Sequence, residues 1–289
     1  MNLSVSSNVG ASCGDPENSL RQISEAGFTH IMWGHHWNSD FAYGKHELTA
    51  IKEMLKRYNL TLQDVHGCAN SEKSFFSPLE YQRKAGIDLI VNRIEMMKTL
   101  GATGVLVMHQ PRIKTDSSPA EIAYKRRQFE SLLRSMDELI PILEKMDARI
   151  ALENMPGDTW EFQRYLLDTY PAKQFGFCFD SGHANIYLRN QLDDCYEYRS
   201  RIIAVHLHDN DSMGDQHTAP FTGTLDWTRV ADILKDSSFE EVLNFELHIK
   251  LSSFMNPEFS QGEQPEENMR SFLADAYDRC RKFAEMCRK

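Results

Sequence analysis

Short β-rich runs alternate with helical patterns along the whole chain, and this strict alternation limits the fold more than any other feature. The predicted strands cover residues 3–8, 28–33, 61–67, 104–109, 149–153, 175–180, 202–208 and 241–248. The predicted helices cover residues 15–27, 47–58, 77–100, a long stretch from 118, 158–169, 184–198, 226–236 and 264–287. Eight strand–helix units predict one α/β domain over residues 1–289, a single (β/α)8 TIM barrel.

Helix start signals support this division of the chain. Ser118 and Pro119 are predicted as the N-cap and first residue of a helix, and the pair at 77–78 has the same sequence. Pro141 is expected to kink the long fourth helix. A doubly wound open sheet is the alternative fold, but "NVGASCGD" after the first strand lacks the GxGxxG spacing of a phosphate turn. We therefore favour the barrel and expect no nucleotide cofactor.

The charge balance restricts the class of partner. The 289 residues carry a formal net charge of -10, which disfavours nucleic acid and anionic membranes. No run approaches the roughly 18 apolar residues of a membrane span, and "MNLSVSSNVG" lacks the features of a signal peptide. The six cysteines include no CxxC pair. They are predicted to be reduced thiols of a cytoplasmic protein.

Each of the third to eighth predicted strands ends in a histidine or an acidic residue. These residues are His66, His109, Glu153, Asp180, His206 and Glu246, and His183, His208, Asp209, Asp211, Asp215 and His217 follow closely. The carboxyl ends of barrel strands meet at one mouth, where TIM-barrel enzymes carry their chemistry. Imidazoles with carboxylates are the ligand set of Zn, Mn, Fe or Co. A metal centre would also compensate the buried carboxylates, which otherwise lack a partner.

Each of these residues also has a simpler interpretation. A lone histidine at a strand end is more often a hydrogen-bonded structural residue, and a lone carboxylate often caps the next helix. Asp209 and Asp211 fit loop positions. In "WGHHWN", His35 and His36 fit the polar face of a loop, while Trp37 is a candidate for lining a substrate pocket. Without a metal, a separate structural role would be needed at each of six strand ends, all at the same end of the barrel. We therefore favour the metal centre.

Taken together and in order, several segments resemble the xylose-isomerase-like superfamily of TIM barrels. The segments are "VHG", "VMHQP", "ALENMPG", "FDSGH", "HLHDND", "DQH", "FTG", "LDW" and "NFELH". The superfamily includes tagatose-3-epimerase-like enzymes, inosose dehydratases, hydroxypyruvate isomerases and endonuclease IV. The resemblance covers nearly the whole chain, and it identifies the superfamily better than the substrate.

The resemblance implies a set of site residues. In the epimerase-like members, one divalent metal (Zn, Mn or Co) binds at the positions of Glu153, Asp180, His206 and Glu246. The position of His183 contacts substrate, and Glu153 and Glu246 would form an acid/base pair. In the endonuclease-like members three zinc ions bind, and the further candidate ligands, some of which could instead contact substrate, are His66, His109, His183, Asp215 and His217.

The leading hypothesis is a metal-dependent isomerase or epimerase of a sugar, keto-sugar or polyol derivative. It would remove a proton next to a carbonyl through a metal-stabilised enediolate. A dehydratase on a keto-sugar, a zinc phosphodiesterase like endonuclease IV and a barrel that only binds its ligand are the alternatives. Gln216 stands where the endonuclease pattern has Arg, which weakens that alternative. The resemblance also implies a carbohydrate as partner and a homo-oligomer.

Overall fold

The computed structural model describes residues 1–11, 13–69, 72–186, 191–259 and 264–288. Eight parallel strands form one sheet in the order β7-β6-β5-β4-β3-β2-β1-β8. The two outer strands also meet, because the backbone N–H of Leu207 donates to the carbonyl oxygen of Asn244 at 3.0 Å and that of Glu246 donates to Leu207 at 3.1 Å. The sheet is therefore closed into the predicted TIM barrel.

The strands and helices alternate as the sequence predicts. The strands are β1 Ser4–Ser6, β2 His30–Trp33, β3 Thr61–His66, β4 Leu106–Met108, β5 Ile150–Glu153, β6 Phe175–Asp180, β7 Ile202–His206 and β8 Asn244–Phe245. The helices are α1 Glu17–Glu25, α2 Lys45–Arg57, α3 Glu80–Leu100, α4 Pro119–Met146, α5 Glu161–Thr169, α6 Ser181–Asn185, α7 Leu192–Glu197, α8 Trp227–Lys235 and α9 Glu266–Met286.

The start signals were right at one Ser-Pro pair and wrong at the other. Ser118 caps α4 by accepting a hydrogen bond from the backbone of Glu121, as predicted. By contrast, α3 begins at Glu80, because the hydroxyl of Ser77 accepts from the backbone of Leu79 ahead of the helix. The α4 helix continues through Pro141 to its end.

The predicted helix over 184–198 is wrong as a single element. Two short helices, α6 and α7, replace it, and residues 187–190 between them lie outside the described residues. The side chain of Asp180 caps α6 by accepting from the backbone of His183, so this helix starts directly at the strand end. The strand predicted over 241–248 is also shorter, with only two residues in β8.

The alternation of side chains along the strands separates two cores and directs the site residues inward. On β6 the aromatic rings of Phe175, Phe177 and Phe179 belong to the large core against the helices. The intervening Cys178 packs with small side chains of neighbouring strands in a second, inner cluster. Because the side-chain period of a strand is two, Asp180 stands on the same inner face as Cys178.

The neighbouring strands follow the same rule. Ala151 and Ala204 of the inner cluster lie two residues before Glu153 and His206. Each barrel strand in this region therefore carries a small residue inside and one ionisable residue above it at the mouth. The pattern explains why ionisable residues from separate strands meet at one place.

All six cysteines are free thiols. Among the described residues, none of the helices combines the length and the apolar character that a membrane crossing needs.

Candidate metal centre

Four side chains from strand ends meet at the mouth of the barrel. Glu153, Asp180 and His206 end β5, β6 and β7, and Glu246 follows β8 directly. One ligand atom from each of the four lies within 4.8 Å of the others. Nδ1 of His206 lies 2.9 Å from Oε2 of Glu246 and 3.4 Å from Oε1 of Glu153. We call these four residues the central cluster.

The electrostatics of the central cluster favour a bound cation. Burial alone would raise the pKa of Glu153, but the imidazoles of His206, His109 and His183 hold it well below its ordinary value. The pKa of Glu246 is likewise lowered against burial, mainly by His206. Both carboxylates therefore favour the anionic form at largely buried positions, where positive charge, from protonated imidazoles or from a metal ion, must balance them. The carboxylate oxygens of Glu153 and Glu246, together with the imidazole of His206, form a ligand set that suits Zn, Mn or Co.

A second group shares Glu153 with the central cluster. Oε2 of Glu153 lies 3.4 Å from Nε2 of His109 and 3.8 Å from Nε2 of His66. This oxygen is buried, and within the described part of the chain it has no well-aligned hydrogen bond. Two imidazole nitrogens and one such oxygen at these separations form a further candidate metal position.

Three imidazoles of the site are oriented by backbone carbonyl groups. The Nδ1–oxygen distances are 2.8 Å from His66 to Gly67, 2.9 Å from His183 to Asn154 and 3.0 Å from His217 to Glu246. A carbonyl oxygen can only accept, so each Nδ1–H donates and Nε2 is left to face the carboxylates. Metal-binding histidines are commonly held in this way by a hydrogen bond from their other ring nitrogen.

Asp215 contacts two histidines, His183 and His217, at the outer side of the site. Its Oδ2 lies 3.2 Å from Nε2 of His183 and 3.1 Å from Nε2 of His217. Burial would raise the pKa of Asp215, but these two imidazoles lower it far below its usual range. Asp209 and Thr218 exchange backbone hydrogen bonds of 2.8 and 3.1 Å, and this closes the loop that folds Asp215 over the mouth.

His208 is a site residue that the sequence analysis noted near the end of the seventh predicted strand but to which it gave no role. It is fully buried, its Nε2 lies 3.1 Å from Oδ1 of Asp180, and its ring stacks on His217 with centroids 4.2 Å apart. The signal was the two-residue spacing in "VHLH", which places His206 and His208 on one strand face. What the sequence could not give is the partner, because Asp180 comes from another strand.

Trp37 forms part of the wall above the imidazoles. Its ring centroid lies 5.4 Å from that of His66 and 5.9 Å from that of His109. It lines a chamber of about 220 Å³ together with Glu153, His183 and other residues of the site. The chamber is also lined by His66, His109, Asp215, His217 and Glu246. The other two predicted site residues, Asp180 and His206, do not line it but lie beside Glu153 and Glu246 in the central cluster. Gln216, at the position where the endonuclease pattern has Arg, accepts a hydrogen bond from the backbone N–H of Asp211 at 2.8 Å.

Solved structures share this fold over almost the whole chain. A D-tagatose 3-epimerase-like protein superposes with a TM-score of 0.73 and 21% identity, covering 99% of this chain and 98% of that one. A D-allulose 3-epimerase from Methylomonas sp., in complex with D-allulose, gives 0.72 and 15%, covering 98% and 96%. The IOLI protein with a bound zinc atom gives 0.69 and 17%, covering 99% and 98%.

Sequence comparisons identify the family. The protein y4fM of Sinorhizobium fredii is 29% identical over 250 residues, 79% of each chain. The protein MJ1311 of Methanocaldococcus jannaschii is 30% identical over 132 residues, which are 43% of this chain and 45% of that protein. Both are described as uncharacterized. The model of the xylose isomerase-like TIM barrel family matches residues 20–275, so the chain belongs to that family.

Proposed function

We propose that this protein is a divalent-metal-dependent isomerase or epimerase of a sugar or keto-sugar. The observation that carries the proposal is the central cluster, in which two glutamates approach the same histidine beside a chamber that also holds Trp37. The similarity of the fold to sugar epimerases is in keeping with it. A divalent cation bound by the central cluster would polarise the carbonyl and hydroxyl oxygens of the sugar.

Glu153 and Glu246 are proposed as the acid/base pair. They come from β5 and from the residue after β8, and both carboxylates reach Nδ1 of His206. Each would keep one oxygen for the central cluster and use the other for a proton on the carbon next to the carbonyl. One glutamate would remove this proton and the other would return one, which changes the configuration or moves the carbonyl.

His183 and Trp37 are proposed to position the substrate. Nδ1 of His183 donates to Asn154, so its ring is fixed while Nε2 faces the chamber beside Asp215. An imidazole held in this way can bind a hydroxyl or carbonyl oxygen of a sugar in a defined direction. Trp37 supplies a flat apolar surface, which suits the C–H face of a sugar ring or chain.

Proton exchange with the solvent tests the proposal directly. Protein purified without chelator would be analysed for metal and then incubated in D2O with a panel of ketoses and keto-sugars. The proposal expects loss of the proton NMR signal next to the carbonyl and the formation of an isomer or epimer. A product that has lost water would instead identify a dehydratase, which begins with the same proton removal. Absence of exchange with every sugar, in metal-loaded protein, would reject the proposal.

A zinc phosphodiesterase like endonuclease IV is the second candidate. It is favoured by one observation, the three imidazoles with carbonyl-bound Nδ1 atoms that face Glu153 or Asp215. This candidate expects about three zinc ions for each chain, because neighbouring metals would share the phosphate oxygens. Cleavage of DNA at an abasic site, together with that zinc content, would place it first. The net charge of -10 and Gln216 count against it.

A further inference from the structure

One imidazole in the wall of the chamber takes no part in the chemistry proposed above. His248 lines the chamber together with Trp37, Glu153 and Glu246. It stands two residues after Glu246, its backbone is extended with φ -137° and ψ 132°, and the intervening Leu247 packs into the large core. Because side chains alternate along an extended chain, the ring of His248 lies on the same inner face as the carboxylate of Glu246.

The backbone at His248 is held by segments from two other parts of the barrel. Its N–H donates to the carbonyl oxygen of His217, in the loop after β7, at 2.9 Å. The N–H of Ile249 donates to the carbonyl oxygen of Val9, which follows β1, at 3.0 Å. The ring of His248 therefore has a fixed position at the mouth of the barrel.

A backbone hydrogen bond determines which ring nitrogen of His248 carries the hydrogen. The N–H of Lys250 donates to Nδ1 of His248 at 3.1 Å, and this caps the 3₁₀ helix Ile249–Leu251. A ring nitrogen that accepts a hydrogen bond carries no hydrogen of its own. The imidazole of His248 is therefore the neutral form with its hydrogen on Nε2.

This arrangement is the reverse of that in the other oriented imidazoles of the site. Nδ1–H donates to a backbone carbonyl in His66, His183 and His217, so Nε2 of each has a free lone pair. In His248 the lone pair on Nδ1 is used by Lys250, and Nε2 carries a hydrogen. His248 is therefore unsuited to bind a metal ion but suited to donate a hydrogen bond to an oxygen.

The Nε2–H group of His248 is available to a ligand. Among the described residues, the bond from Lys250 is the only hydrogen bond of the His248 side chain. The ring is half-buried, and its Nε2 is not enclosed by protein, unlike both ring nitrogens of His206. An oxygen of a molecule in the chamber can therefore reach this donor.

We propose that His248 binds the substrate, with Nε2–H donating to a hydroxyl oxygen of the sugar. This inference rests on the proposed function and adds a specificity-determining residue to it. Residues two apart on an extended chain lie about 6–7 Å apart, so the hydroxyl belongs to a carbon beyond the one that exchanges its proton with Glu246. A sugar that is deoxygenated at this carbon would leave the N–H without a partner, and it should bind more weakly.

Nitrogen NMR of the zinc-loaded protein tests both the position of the hydrogen and the contact with the sugar. Protein labelled with 15N-histidine would be compared with His248→Gln, which identifies the signals of this ring. The inference expects the hydrogen on Nε2, and it expects D-fructose, D-tagatose or D-allulose to shift the Nε2 signal. A hydrogen on Nδ1 of His248, or an Nε2 signal that none of the three sugars shifts, overturns the inference.

Two substitutions separate the donor to the sugar from the cap of the 3₁₀ helix. The side-chain amide of asparagine matches the position of Nδ1 and still accepts from Lys250, whereas that of glutamine reaches the position of Nε2. Calorimetry should show binding of the sugar about two- to tenfold weaker in His248→Asn and close to wild type in His248→Gln. His46→Gln, exposed on α2, is the control. Normal binding in His248→Asn with weak binding in His248→Gln would assign the ring to the cap alone and overturn the inference.

Proton exchange in D2O distinguishes failure of this inference from failure of the proposed function. If the sugars bind and the two variants differ as expected, but no sugar exchanges its proton, His248 remains a sugar contact and the proposed function fails. If a sugar exchanges its proton with equal kcat/KM in the wild type and in His248→Asn, the function stands and the contact fails. For a sugar that reacts, removal of one hydroxyl should abolish the difference in kcat/KM between the wild type and His248→Asn.

Discussion

A β-carbon on Gly182 would lie 1.9 Å from Cε1 of His208, so His208 can occupy its place only because residue 182 has no side chain. In that place His208 contacts Asp180 of the central cluster and stacks on His217. We expect Gly182→Ala to displace the imidazole, lower the free energy of unfolding by about 1–3 kcal/mol and weaken metal binding. Urea unfolding and metal analysis would measure both effects.

Gly214→Ala is the matched control for this substitution. Gly214 lies in the loop that carries Asp215, and a β-carbon there would meet no atom within 4 Å. The control should keep the stability and metal content of the wild type. If Gly182→Ala behaved in the same way, the close packing of His208 would not be needed by the central cluster.

The fold was predictable because each strand carries its own local signal. The three phenylalanines of β6 alternate with Gly176, Cys178 and Asp180, and seven further β-rich runs occur along the chain. The residues at the mouth could be selected for the same reason, since a strand end is a local feature. The closed barrel could be predicted because the chain contains eight strand–helix units, the number that a TIM barrel has.

The contacts within the site could not be predicted from the sequence. The carbonyl groups that orient His66, His183 and His217 belong to backbone positions whose geometry is set by loops. The pairing of His208 with Asp180 joins two strands, and the start of α6 depends on the cap that the side chain of Asp180 supplies.

Glu246→Gln should abolish turnover while leaving the fold nearly unchanged. The amide has the shape of the carboxylate but cannot accept a proton, and removal of a general base or acid typically costs about 10²–10⁴-fold in rate. Deuterium exchange at the carbon next to the carbonyl would report the loss, and thermal unfolding would report the fold. Glu241→Gln, an exposed position four residues before β8 ends, serves as the control. Near-normal exchange in Glu246→Gln would reject the acid/base assignment.

Metal analysis of two histidine variants separates the single-metal and multiple-metal interpretations. His206 belongs to the central cluster, whereas His109 contacts Glu153 only in the second group. The proposed function expects one Zn, Mn or Co for each chain, lost in His206→Asn and retained in His109→Asn. Two or three equivalents in the wild type, with a partial loss in His109→Asn, would contradict the single-metal centre. In either case metal affinity should fall as the pH falls, because protons compete for the ligands.

His35 should make the protein less stable in acid, independently of the metal centre. Burial, with a smaller effect of His36, lowers the pKa of His35 from 6.5 to about 4. The backbone N–H of Gly34 donates to the hydroxyl of Ser7 at 3.0 Å, and this hydroxyl lies within hydrogen-bond distance of Nδ1 of His35, at 3.1 Å.

The direction in which stability changes with pH follows from the number of protons that the folded and unfolded states bind. Below pH 6.5 the unfolded chain protonates His35, while the folded chain keeps it neutral until about pH 4. The unfolded state therefore binds more protons, and the free energy of unfolding falls as the pH decreases through this window. Between about pH 7 and about pH 5 this residue alone should remove about 2 kcal/mol. Urea unfolding of the wild type and His35→Gln at both pH values measures it, with the exposed His46→Gln as control. The same pH dependence in His35→Gln as in the wild type would show that the acid sensitivity has another source.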